Sequence, residues 1–367
     1  MNGKERILTA LEVRKPDCVP LYIHGINEGP IVGIAKHLAS GLPEPRDFRL
    51  MDDREKFKLL EALFMIHHHF DIDGITTFEI GHEKIVDKLH VKDPFGVVYK
   101  LSEHGIPVPV GHPVNDLTEL QKYTPPIPRK EDLGLLNMAV EQFKGQKAVF
   151  WLMRGVFVRS WRLIGMTNYM MNVYADPEFL HLLAKIMLDY SLAQLDLLVE
   201  AGLDVLVIED DIAMDKGPMI SLEHFETYIN QYNRQIVERA HQKGLKVVRH
   251  SDGNLWPLLD LLLETGYDGI NPLEPQAGME IKKVKSYCGD RICLLGNIDC
   301  VDLLPRGTEE EVEQAVIQTI EDGATGGGLI LCSSNSLHQG VNPENCIAMF
   351  QATRKYGQYS FAENHNK

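Results

Sequence analysis

The chain has 367 residues, 44% of them hydrophobic and 24% charged, and a net charge of −15. That is the balance of a globular protein with a sizeable core, long enough for one large barrel or two ordinary domains. So acidic a surface repels phosphate backbones and argues against nucleic-acid binding, and no apolar run reaches the roughly 18–20 residues that mark a membrane-crossing helix.

The chain opens with MNGKERILTALE, a charged helical stretch without the apolar core of a signal peptide. None of the six cysteines (Cys18, Cys288, Cys293, Cys300, Cys332, Cys346) forms a C-x-x-C pair. A reducing, cytoplasmic setting is the expectation. Eight short apolar runs then follow, most ending in polar residues and leading into a helical or connecting segment. They are Pro20–His24, Gly74–Phe78, Ala148–Met153, Val205–Glu209, Lys246–His250, Gly269–Leu273, Ile292–Leu295 and Leu329–Cys332. Near-continuous apolar strands separated by helices predict a parallel sheet covered on both faces, and eight of them predict closure into a (β/α)8 TIM barrel. No G-x-G-x-x-G or Walker loop follows any strand.

Asp176-Pro177 starts a long helix that stops at Gly202. Ser221 opens another, which ends near Gly244. Thr308, with Glu311 three residues on, makes a capping-box start for a third. Residues 82–130 break the alternation: KDPFGVVYKLSEHGIPVPVGHP predicts a β-hairpin inserted after the second strand. One domain over 1–360, with a frayed tail at 361–367, is expected.

In a barrel, chemistry concentrates where strands end. The first strand ends in Tyr22 and His24, the fourth in Glu209-Asp210-Asp211, and the fifth in Arg249-His250-Ser251-Asp252. The sixth ends at Asn271 and Glu274, and the seventh runs into Asn297. The eighth gives Cys332, Asn335 and His338. His250 and Asp252 are two apart, so in extended backbone both aim into one bowl. A histidine and a carboxylate either hold a divalent metal or act as an acid/base pair. Of the three consecutive acids, Asp210 is read as the inward one. Cys332 is the third candidate metal ligand, against the ordinary fate of a free cysteine as core. Trp151 offers an aromatic wall for a flat substrate. Arg154, Arg159 and Arg162 are the one basic cluster.

Over about nine-tenths of its length the chain resembles the uroporphyrinogen decarboxylase superfamily. The stretches that carry this are KERILTALEVRKPDCVPL, DDIAMDKGPMISLEHF, HSDGN, GYDGINPLEPQAGM, LLGNID and GGLILCSSNSLHQGVNPENCIAMFQATRKYGQY. The resemblance implies a barrel with a deep cleft at the strand C-termini, in a superfamily whose barrels often pair as homodimers. True decarboxylases of this superfamily share an N-terminal Arg-Gln-Ala-Gly-Arg segment that grips substrate carboxylates. Here no arginine lies between Arg14 and Arg46.

The other branch comprises cobalamin-dependent methyltransferases. Those acting on methylcobamide and coenzyme M carry a His-x-Cys pair and a later Cys that bind zinc. This chain has His250-Ser251-Asp252, and the later position falls near Asn335. A harder His/Asp site suits oxygen chemistry. The resemblance therefore implies transfer of a methyl group from a small donor, such as an aryl methyl ether, to a Co(I) corrinoid on a partner protein. His250, Asp210 and Asp252 would be catalytic in that reaction. Tyr22, His24, Trp151, Glu274, Asn297, Asn335 and His338 would line the substrate site, and His250, Asp252 and Cys332 would be the zinc ligands. A decarboxylase acting on a porphyrinogen or another acid is the alternative, favoured if Arg154, Arg159 and Arg162 fold into the bowl.

Overall fold

The computed structural model describes residues 1–80, 83–101 and 107–359. Seven parallel strands form one curled sheet in chain order: Gly74–Thr77, Ala148–Arg154, Val205–Glu209, Lys246–His250, Gly269–Asn271, Cys293–Ile298 and Leu329–Ser333. They are buried almost end to end, as strands covered on both faces must be. The remaining predicted segment, Pro20–His24, is reduced to single bridges. Leu21 pairs in parallel with Leu331, and Tyr22 N donates to Leu331 O at 3.0 Å. On its other side Asp73 N donates to Leu21 O at 2.9 Å, and Leu21 N donates to Asp73 Oδ2 at 2.7 Å. Both edges of the sheet are thus hydrogen-bonded to one segment, and the fold is TIM-barrel-like.

The helices follow their local signals. Asp176 caps Pro177–Glu200 through Phe179 N, and Gly202 beyond its end takes φ +89°. Thr308 and Glu311 form the capping box of Glu309–Gly323. Ser221 caps a helical run that passes through a π turn, Glu226–Asn230, into Gln231–Gln242.

Where the sequence reading places a hairpin, the structure has a four-stranded antiparallel sheet: Lys84–Ile85, His90–Lys92, Val98–Lys100 and Val108–Gly111. Only two to four residues long and turn-separated, these strands give too weak a period-2 signal to be counted from sequence. Val91, Phe95 and Val97 are buried, whereas Ile85, Val108 and Val110 are exposed. The predicted tail at 361–367 lies outside the described residues. Among the described residues no helix is long and apolar enough to cross a membrane.

Inside the ring of strands, Tyr22, Phe150, Val205, Val207, Val248, Leu295 and Cys332 form an apolar cluster of their own. Ile7, Ala10 and Leu11 of the N-terminal helix Gly3–Leu11 belong to the same cluster. The helix therefore plugs the N-terminal mouth of the barrel, and the interior is a packed floor. Above that floor, at the C-terminal ends of the strands, lies a cavity of about 600 Å³.

Candidate active site

His250, the last residue of its strand, is buried at the base of this cavity, 3% exposed. Its Nδ1 lies 2.6 Å from Asn271 Oδ1, whose amide nitrogen in turn donates to Cys332 Sγ at 3.3 Å. Because Asn271 presents its oxygen, Nδ1 carries the proton in the neutral ring, and Nε2 is left toward the carboxylates. Nε2 lies 3.7 Å from Asp252 Oδ1 and 3.9 Å from Asp211 Oδ1. Burial alone would lower the His250 pKa, but Asp252, Asp211 and Glu209 outweigh it and the pKa is raised. The His24 ring stacks on His250 at 3.9 Å and 2°. Burial, and then its neighbour His250, hold His24 well below the usual imidazole range. The stack therefore keeps one imidazole neutral while the other takes a proton.

The three consecutive acids part company. Glu209 and Asp211 line the cavity, whereas Asp210 points away from it. This corrects the reading of Asp210 as the inward residue. Asp210 is wholly buried and accepts from Val158 N (2.7 Å), Asn233 Nδ2 (2.8 Å) and Arg249 Nη1 (3.3 Å). Alternation explains the outcome: Glu209 and Asp211 share one face and Asp210 takes the other. Glu209 pairs with Arg154 at 3.2 Å. Burial pushes its pKa up, but Arg154, His250 and His24 override this and hold it at about 2. Asp252 accepts from Asn335 Nδ2 at 2.7 Å through Oδ2, while its buried Oδ1 has no hydrogen-bond partner. Burial, opposed by His250 and joined by Asp211 and Glu274, raises the Asp252 carboxyl to about 6.

Asp211, His250 and Asp252 each offer a ligand atom, and those atoms lie within 4.8 Å of one another. One imidazole and two carboxylates, with an unpartnered oxygen among them, are a hard-donor set suited to a divalent cation. Of the other predicted residues, His24, Trp151, Glu274, Asn335 and His338 also line the cavity. Glu274 Oε2 accepts from Gly253 N at 2.9 Å, and His338 Nε2 lies 2.8 Å from Cys300 O.

Besides Asp210, three predicted residues do not line it. Tyr22 is in the barrel interior, stacked on Phe150 at 4.1 Å with its hydroxyl on Thr76 Oγ1. Asn297 turns toward Met279 O and Thr319 Oγ1. Cys332 lies in the apolar floor, where burial pushes its thiol far up and disfavours a thiolate ligand.

Arg154, Arg159 and Arg162, left out of the expected methyltransferase site and given as the condition that would favour a decarboxylase, all line the cavity. Arg154 ends a strand and could have been found by the strand-end rule. Arg159 and Arg162 are three apart on the helix Val156–Ile164 and so share a face. Tyr99 and Asp93 come from the antiparallel sheet and its turn, which the sequence reading left out of the site.

A parallel, TIM-barrel-like sheet with a large polar cavity at the strand C-termini defines an α/β protein of the enzyme-bearing barrel class. The family model for uroporphyrinogen decarboxylase (URO-D) matches residues 58–356, and the chain belongs to that family. It is 26% identical over 266 residues to uroporphyrinogen decarboxylase from Pseudoalteromonas translucida, covering 66% of this chain and 70% of that one. It is 24% identical over 270 residues to the methylcobamide:CoM methyltransferase of Methanosarcina acetivorans, covering 70% of this chain and 77% of that one. A solved methyltransferase from Methanosarcina mazei shares the fold, with a TM-score of 0.77 at 19% identity over 97% of this chain and 99% of that one.

Proposed function

We propose that this protein is a corrinoid-dependent methyltransferase that moves a methyl group from a small oxygen-linked donor, such as an aryl methyl ether, to a Co(I) corrinoid carried by a partner protein. The observation that carries the reading is the Asp211–His250–Asp252 cluster, a hard-donor and proton-holding group at the base of an open cavity of about 600 Å³. In the reaction, the donor's C–O bond breaks as the methyl group passes to cobalt, and the leaving oxygen must take a proton or meet a Lewis acid. His250 Nε2 and Asp252 hold a proton at that point, and Asn271 fixes which nitrogen of His250 presents it. Asp211, His250 and Asp252 would hold Zn2+, which when bound supplies Lewis acidity toward the departing oxygen. Glu209, held ionised beside Arg154, keeps the proton on the His250–Asp252 side of the cavity. We read residues 1–360 as one domain of the cytoplasm, with the cavity mouth as the face the corrinoid protein meets.

The test is incubation with Co(I) corrinoid protein and a panel of methoxylated compounds, read by the methyl-Co(III) spectrum. His250→Ala is expected to lower turnover at least ~100-fold while Tm stays within roughly 3 °C. No methyl-Co(III) with any donor would sink the reading. A large fall in Tm would make His250 a core residue instead.

A second reading, decarboxylation of a carboxylic acid, is favoured by the three arginines in the cavity. Release of CO2 from uroporphyrinogen or a smaller acid, with no methyl transfer, would select it.

A further inference from the structure

The cavity has two electrically opposite sides. The acids Glu209, Asp211, Asp252 and Glu274 gather around His250, and Arg154, Arg159 and Arg162 stand on the other part of the lining, where Glu79 accepts from Tyr190 Oη and Gln194 Nε2, both at 3.5 Å. Arg154 is neutralised by Glu209. Arg159 and Arg162 form no ion pair with any carboxylate among the described residues, in a chain whose net charge is −15. Asp93, which lines this side too, spends its oxygens on Val97 N (2.9 Å) and Tyr99 Oη (3.2 Å).

What holds the two guanidiniums is aromatic. Arg159 lies over Phe95 at 5.0 Å and Tyr190 at 4.6 Å, and its Nε donates to Arg154 O at 3.2 Å. Arg162 lies over Tyr99 at 5.9 Å and Trp161 at 5.5 Å, and its buried Nε has no hydrogen-bond partner. Cation–π contact orients a guanidinium without consuming its in-plane N–H donors. Burial, and then the neighbouring charge of Arg154, act against Arg162's protonation. Glu209 and Tyr99 offset part of this, but among the described residues no carboxylate reaches Arg162 within ion-pair distance, and a half-buried cation without a direct counter-ion carries a cost typical of a site completed by its ligand.

We infer that Arg159 and Arg162 form the docking site for a carboxylate on the substrate, so that the donor is a methoxylated acid rather than a neutral ether. The inference names the substrate class for the site read above as a methyltransferase centre. A planar carboxylate matches the guanidinium fork, and the substrate's negative end is repelled from the acids around His250. The substrate therefore enters in one orientation, with its neutral methoxy end toward His250.

The experiment is calorimetric binding to the whole protein without any corrinoid protein. The probes are methoxylated aromatic and aliphatic acids, 4-methoxybenzoate among them, each paired with its neutral amide, and inorganic phosphate. At least one acid is expected to bind 10-fold or more tighter than its amide. Arg159→Gln and Arg162→Gln are each expected to remove about 10-fold of that preference, and Arg162→Lys to restore part of it. Ligand-free Arg162→Gln is expected to melt no lower than the parent, because it loses a half-buried charge that has no direct ion pair; a clear drop in Tm would mark a structural arginine and overturn the inference. It is equally overturned if every acid binds like its amide, or if phosphate binds as tightly as the best acid. Tight acid binding without methyl transfer would remove the methyltransferase reading and leave this inference standing. Methyl transfer from neutral ethers, unchanged in the arginine variants, would do the reverse.

Discussion

Glu209, Asp210 and Asp211 are consecutive, yet one is a cavity-facing counter-ion, one a buried brace and one a candidate ligand. What separates them is the direction in which the strand end turns each side chain. Asp252 shows a different tension. Its carboxyl is raised to about 6 by burial first, with Asp211 and Glu274 adding to it and His250 opposing. The folded protein thus holds that proton more tightly than the unfolded chain does. The stability gained is complete below the unfolded value near 4 and is lost as pH rises through about 6. Above that, an ionised carboxylate sits among like charges. Asp252→Asn is therefore expected to raise Tm by roughly 2–4 °C at about pH 8 in chelator-treated protein, with the gain shrinking between about pH 6 and about pH 4 and gone below that. His250 keeps Asp211 and Glu209 as partners in that variant. Thermal melts across this range check it, and a pH-independent difference would show that Asp252 carries no such cost.

The helix Val156–Ile164 ties the arginine side of the cavity to the brace beneath it. It begins at Gly155, where an added Cβ would lie 2.3 Å from Asp210 Cγ. Asp210 in turn receives Val158 N and Arg249, so the helix start, the acid and the buried guanidinium are one packed unit. Gly155 has φ −70°, so room and not backbone conformation requires glycine there. Gly155→Ala should cost about 1–3 kcal/mol in urea denaturation and weaken anion binding at Arg159 and Arg162 in step. Stability lost with anion affinity intact would show that the helix keeps its place without this contact. This coupling is also why the arginines were hard to read from sequence. The strands announce themselves through near-continuous apolar runs, and His250 and Asp252 through their two-residue spacing at a strand end. The cavity-facing role of Arg159 and Arg162 depends on how one short helix tilts over the strand ends, and no periodicity encodes that. The first strand and the antiparallel sheet blurred for a related reason. Pro20–His24 is held by a few bonds to Asp73 and Leu331, partners 50 and more residues away.

Across the molecule, the barrel is divided into a packed apolar floor and a polar cavity, and the boundary between them runs through the chain Cys332–Asn271–His250. Cys332 belongs to the floor and reaches the cavity only through Asn271. The later family cysteine falls near Asn335 on sequence, and Asn335 does sit against Asp252 in space. Neither Asp252 nor Asn335 offers sulfur to the site. A metal bound here would meet one nitrogen and carboxylate oxygens, with no sulfur. Zinc titrated into the chelator-treated protein is expected to bind with affinity reduced at least ~10-fold in Asp211→Asn, Asp252→Asn and His250→Ala. Cys332→Ser should leave it unchanged. X-ray absorption of the loaded protein should show a nitrogen/oxygen shell near ~2.0–2.2 Å and no scatterer at the ~2.3 Å of a zinc–sulfur bond. A sulfur shell, or loss of zinc in Cys332→Ser, would mean that the floor opens and Cys332 reaches the metal. Failure of zinc to bind the parent protein at all would leave His250 and Asp252 as a proton-transfer pair.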